Sequence, residues 1–137
     1  MRVFFSYSHK DEAVRNELDV HFSMLRRNGE IEAWHDRRIL GGDKFDKQIR
    51  FELEHADIIL LLVSPYFLNS DYCYSVEMSR ALERASEGTA HVLPVIAEVC
   101  DWHNSPVGQL KALPLDGKPL SKYANVHDGS LEVVKEL

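Results

Sequence analysis

The sequence predicts an α/β domain: a five-stranded parallel sheet of flavodoxin-like strand order 2-1-3-4-5, with helices on both faces in three layers. Three observations predict it. Six apolar residues run unbroken from Ile58 to Val63, the pattern of a strand buried on both faces. Strand-like runs alternate with segments of helical period along most of the chain, which is how a parallel sheet is written in sequence. The 137 residues are 45% hydrophobic and 28% charged, enough to give one domain with its own core. Right-handed crossovers leave few topologies for such a chain, and 2-1-3-4-5 is a common one for five strands.

Val3-Phe4-Phe5 starts the first strand close to the N-terminus. Ser8 followed by Asp11 and Glu12 reads as a helix N-cap with acids in the first turn. Val14, Leu18, Phe22 and Leu25 then recur at helical spacing, predicting one amphipathic helix over 11–27 that Asn28-Gly29 closes. Ile31 to His35 is a short second strand. Residues 36–43 mix charge, two apolar side chains and a glycine pair, so they form a loop. Asp43 can cap the next helix, whose stripe is Phe45, Ile49, Leu53 and Ala56. The central strand follows over 57–63. A third helix is expected from about Asp71 to Ser86, with Tyr74, Met78, Ala81, Leu82 and Ala85 on its apolar side and Gly88 as its stop.

His91 to Ile96 is the fourth strand. Pro94 has no N–H to give a ladder, which places it at a bulge or near the sheet edge. From Ala97 to Lys122 the chain is irregular, with Pro106, Pro114 and Pro119 and a short helix near Val107 to Leu113. Tyr123 begins a weak fifth strand, and His127 to Leu137 is a last helix without a C-cap.

The formal net charge of −6 argues against nonspecific association with nucleic acid or an anionic membrane. The longest apolar run is far short of the roughly 20 residues that span a bilayer, and no secretory leader pattern opens the chain. Two cysteines, Cys73 and Cys100, make no disulfide framework, so a reducing cytoplasm is the expected setting.

In the predicted order, strands one and three are neighbours and form the topological switch point, beyond whose carboxyl ends ligands bind. Those ends are Ser6-Tyr7-Ser8 and Ser64-Pro65-Tyr66, with Glu77 on the following helix. At about 100° per residue, Glu77 lies at the margin of the apolar stripe, roughly 85° from its centre. A carboxylate there can have a raised pKa and meet a substrate. It can equally be a boundary residue paired with Arg80 or Arg84. Ser6, Ser8 and Ser64 can bond a ligand or cap turns. Arg37 and Arg38 can clamp a phosphate or face solvent. Gly41-Gly42 lacks the spacing of a phosphate loop. Cys100-Asp101-Trp102-His103 is a lone cluster rather than a metal-ligand pattern, and no G-x-S-x-G elbow supports a hydrolase triad. No metal and no bound cofactor are expected.

Three blocks, VFFSYSHKDE, WHDRRILGGDKF and DIILLLVSPYFLNSDYCYSVEM, resemble the Toll/interleukin receptor (TIR) domain in its bacterial form. The resemblance runs from Val3 to the last helix. It implies the flavodoxin-like fold reached above, and makes Asp36 to Phe45 the BB loop, through which such domains self-associate and which borders the cleft. Many bacterial and plant members cleave NAD and release nicotinamide, using a Glu shortly after a Trp/Tyr-Cys pair. Tyr72-Cys73 is that pair and Glu77 that acid. In plant members the acid follows the Cys by three residues; here it follows by four.

The resemblance further implies that Phe5 or Tyr7 and Phe45 stack on the flat rings, that Arg37 or Arg38 meets the pyrophosphate, and that Ser8, Asp36 and Ser64 line the cleft. NAD+ is then substrate, not cofactor. The competing class is a non-catalytic scaffold for homotypic assembly, as in most animal members. A receiver-like phosphoacceptor domain is rejected, because strand one ends in Ser-Tyr-Ser and strand three in Val-Ser rather than in acids. Activity is expected to be switched on by oligomerisation, within a bacterial defence pathway against phage. The uncapped last helix suggests a longer parent chain with a C-terminal sensor.

Overall fold

The computed structural model describes the backbone of residues 1–35, 42–114 and 117–137, and their side chains apart from those of 33–35 and 42–46. Four parallel strands form the sheet: β1 (Arg2–Ser6), β2 (Glu32–His35), β3 (Ile58–Val63) and β4 (His91–Ile96), in the order β2-β1-β3-β4. Val3 pairs with Ala33 on one side and Ile58 on the other, so β1 and β3 are the central pair. Among the described residues six α-helices accompany them: α1 (Glu12–Val20), α2 (Ser23–Arg27), α3 (Gly42–His55), α4 (Pro65–Asn69), α5 (Ser79–Glu87) and α6 (Val126–Lys135).

Three layers result from the pleat, since successive side chains of a strand point to opposite faces. Phe4, Ile59, Leu61 and Val63 meet Ile49 and Leu53 of α3 and Ala81 of α5 on one face. Val3, Phe5, Ile58, Leu60 and Leu62 meet Leu18, Phe22 and Val133 on the other, under α1 and α6. All six residues of β3 are buried, as its uninterrupted apolar run requires.

The expected fifth strand is not found among the described residues. Tyr123 follows a 3-10 turn, Leu120–Lys122; its N–H returns to Leu120 O and its hydroxyl bonds Glu132 of α6 at 2.8 Å. Among the described residues, the outer edge of β4 is met by Leu113 alone, which accepts from Ile96 N–H at 2.8 Å and donates to Pro94 O at 2.7 Å. Pro114 comes next and cannot continue a ladder. Pro94 sits on this outermost strand with its ring nitrogen on the outward side, so no sheet bond is lost. The expected short helix near Val107 is a 3-10 turn, Pro106–Gln109.

Two helices differ from the periodicity. The segment 11–27 is two helices broken at His21-Phe22, because Phe22 must enter the core against Phe5 (ring centroids 5.4 Å apart). Ser64-Pro65, at the end of the central strand, also starts a helix. The Ser64 hydroxyl accepts from Phe67 N–H at 3.0 Å and Pro65 takes the first helical position of α4, where its missing N–H costs nothing. Gly88 ends α5 at φ 73°, a conformation that favours glycine.

Candidate functional site

Between α4 and α5 lies a π-helical segment, Cys73–Met78. A π turn closes over i→i+5 and turns less per residue than an α turn, and such segments are frequent at functional sites. Here it rephases the helix. Tyr74, expected on the apolar stripe, is 37% exposed, whereas Glu77, expected at the margin, is 0% exposed between buried Cys73 and Met78. The Ser79 hydroxyl donates to Tyr74 O at 3.2 Å, helping to satisfy a carbonyl in the widened turn. An added residue in a helix can be held as a π turn, which is a physical account of the four-residue spacing from Cys73 to Glu77.

Glu77 thus projects from a segment packed against β1. The two arginines weighed as its partners are engaged elsewhere. Arg80 pairs with Glu54, Glu83 and Glu87. Arg84, 7% exposed, donates to Leu53 O, Ala56 O and Thr89 O at 2.7–2.8 Å.

Strand alternation sorts the other expected residues. Ser6, at the carboxyl end of β1, follows Phe4 onto the α3/α5 face; it is fully buried and its hydroxyl has no hydrogen-bond partner among the described residues. Phe5 and Tyr7 belong to the opposite face. Phe5 packs on Phe22, and the Arg15 guanidinium lies 5.6 Å from the Tyr7 ring centroid. Both rings are covered by the protein's own side chains, so neither is an open stacking platform. Ser8 caps the turn His9–Asp11 by accepting from Lys10 N–H at 3.3 Å. Tyr72 is partly buried against the α3/α5 core and Cys73 is 1% exposed within it. Asp36, Arg37, Arg38 and the side chains of Asp43 and Phe45 lie outside the described residues, as does the expected 36–45 loop apart from the backbone of α3.

The switch-point loops do converge. Ser64 donates to the Asp11 carboxylate while still capping α4. Asp11 is 6% exposed; burial pushes its pKa up, the Ser64 hydrogen bond opposes this, and the charge of Glu98 adds to the rise. Sequence reasoning treated Asp11 only as a first-turn acid. Its position right after β1, opposite Ser64, was the available signal. Between the segment after β1 and α4 opens a cavity of about 180 Å³ lined by Ser8, His9, Lys10, Tyr66, Asn69 and Ser70, with Lys10 Nζ 5.1 Å from the Tyr66 ring centroid. Among the described residues, no group of three or more His, Cys, Asp or Glu side chains is placed to hold a metal. The Cys100–His103 stretch is instead a turn in which Trp102, 8% exposed, stacks on His103. No helix of the described residues is long and apolar enough to cross a membrane.

Comparison with known proteins gives three results. The TIR domain family matches residues 3–127. The chain is 50% identical over 133 residues to the uncharacterized protein y4lF of Sinorhizobium fredii; the match takes in 97% of this chain and 41% of that protein. A crystal structure of a conserved protein from Enterococcus faecalis aligns with a TM-score of 0.46 at 13% identity, over 97% of this chain and 87% of the other. The family match, from the first residues of β1 to the start of α6, fixes the assignment: this chain belongs to the TIR domain family.

Proposed function

We propose that this domain is an NAD+ nucleosidase that breaks the nicotinamide–ribose bond with Glu77 as its catalytic carboxylate. The observation that carries the reading is the burial of Glu77, 0% exposed, in a π segment packed against β1. Burying a carboxylate is costly, and a helix rephased to do so argues for a use. The nicotinamide of NAD+ is a cationic leaving group that departs neutral, so no general acid is required. What needs stabilising is the oxocarbenium-like ribose, and a carboxylate in a water-poor site does that electrostatically. Water then gives ADP-ribose, and attack by the adenine gives a cyclic product.

Ser6, fully buried on the same face and without a hydroxyl partner among the described residues, is the residue to which this reading gives a ribose hydroxyl. Ser8 and Ser64 shape the neighbouring loops. Asp36, Arg37, Arg38 and Phe45 complete the cleft in this proposal on the strength of the family resemblance alone. The same resemblance makes self-association through 36–45 the trigger, in bacterial defence signalling, with a further domain of a longer chain as sensor and the cytoplasm as setting.

The test is nicotinamide release from NAD+ at high protein concentration, by wild type and by Glu77→Ala. Release by the wild type and its loss in the variant are expected. Equal rates would remove Glu77 from catalysis, and no release by assembled wild type would favour the assembly scaffold.

A further inference from the structure

A second cavity, of about 440 Å³, lies on the other face of the sheet, between α1, the chain after β4 and the start of α6. Its volume falls in the range of small-molecule sites, a few hundred to about 1,000 Å³. Val14, Ala97, Leu120 and Val126 give it apolar walls, with Ala97 and Leu120 buried at 3% and 2% exposure. Two carboxylates, Glu17 and Glu98, also line it, and no lysine, arginine or histidine lines it among the described residues. Glu98 is held in place: the Ser121 hydroxyl donates to its Oε1 at 2.6 Å, and Val99 N–H reaches the same oxygen at 3.3 Å.

An apolar hollow bordered, among the described residues, by two acids and no base is complementary to one kind of guest. We infer that this cavity binds a small organic cation with an apolar body, its positive group between Glu17 and Glu98 and its body against Val14, Ala97, Leu120 and Val126. The site is separate from Glu77, which lies on the α3/α5 side, and stands whether or not the chain cleaves NAD+. It is joined to the switch point electrically, since Asp11 feels the charge of Glu98. A cation seated on Glu98 offsets that charge.

The test is an NMR titration of the ¹⁵N-labelled chain with three probes of one shape: benzylammonium, benzyl alcohol and benzoate. Benzylammonium is expected to shift the amides of Val14, Ala97 and Ser121, and to bind at least about tenfold more tightly than the alcohol. Benzoate is expected to leave those amides unmoved. Glu17→Gln/Glu98→Gln should bring the ammonium down to the affinity of the alcohol. Glu17→Gln alone, at an exposed position, should give part of that loss if the double variant is unstable. The proposal is overturned if the alcohol or benzoate matches the ammonium, if the shifts map elsewhere, or if no probe binds. It is also overturned if these amides respond to protein concentration rather than to probe, which would assign the face to a second copy of the chain.

Discussion

The two ends of the sheet treat buried polar groups differently, although each leaves one such atom, Arg2 Nε at the amino end and Ser6 Oγ at the carboxyl end, without a hydrogen-bond partner among the described residues. At the amino end, Arg84 is buried and its guanidinium meets three backbone carbonyls, at the end of α3 and just past α5. Arg2 donates its N–H to Asp57 at 2.8 Å and its guanidinium to Glu52 at 2.6 Å. At the carboxyl end, Asp11 is buried with its pKa raised, the Ser6 hydroxyl has no partner among the described residues, and a carboxylate is buried in a π turn. The amino end is arranged for stability. The carboxyl end is where the proposed reaction would use such groups.

Substitutions at the two ends should therefore divide. The largest effect is expected from Glu77→Gln, which should lower the rate of nicotinamide release by about 10²–10³-fold. Its thermal midpoint should stay close to that of the wild type, because the amide keeps the shape of the side chain. A large drop in midpoint would place Glu77 among the structural residues. Arg84→Met should act in reverse. Leaving buried carbonyls without donors costs about 2–4 kcal/mol, seen in chemical denaturation, while release per folded molecule at low temperature stays near wild type.

Asp11 gives a smaller effect with a defined pH dependence. Its folded pKa lies above the ordinary 3.8, so between the two values the folded state holds more protons than the unfolded one. Stability then falls as pH rises through that window. The cost is absent below the unfolded value and complete above the folded one. Asp11→Asn keeps an acceptor for Ser64 and should abolish this fall, so its midpoint should gain on the wild type from pH 4 upward. A midpoint gap that does not change with pH would refute the assignment. The smallest effect belongs to Lys111→Ala, which breaks a surface pair with Glu136. Such pairs contribute little, and the thermal midpoint should hold within the scatter of repeated melts.

Much of the architecture was legible because hydrophobic period and turn chemistry are local. The run from Ile58 to Val63, the cap at Ser8 and Pro94 on an outer strand are each read from a few neighbouring residues. Tyr123 was misread because β-propensity cannot register that the space beside β4 is closed off by Leu113 and Pro114. The angle of Glu77 was misread because the helix does not keep an α-helical advance through Tyr74, and no residue type marks a π turn. Asp11 was overlooked because a first-turn acid and a buried strand-end acid look alike until the partner loop is in place.

The widened turn at Cys73–Met78 has one more consequence, for chain length. A helix that stores a surplus residue can give it up without losing its direction at either end. Removing exposed Ser75 should let the segment relax to α-helix, with the acid three positions after Cys73 and still facing β1. Spacing in this stretch is therefore free to vary by one while the carboxylate keeps its bearing. In alignments of such domains, the acid is better located by the face it occupies than by its count from the cysteine.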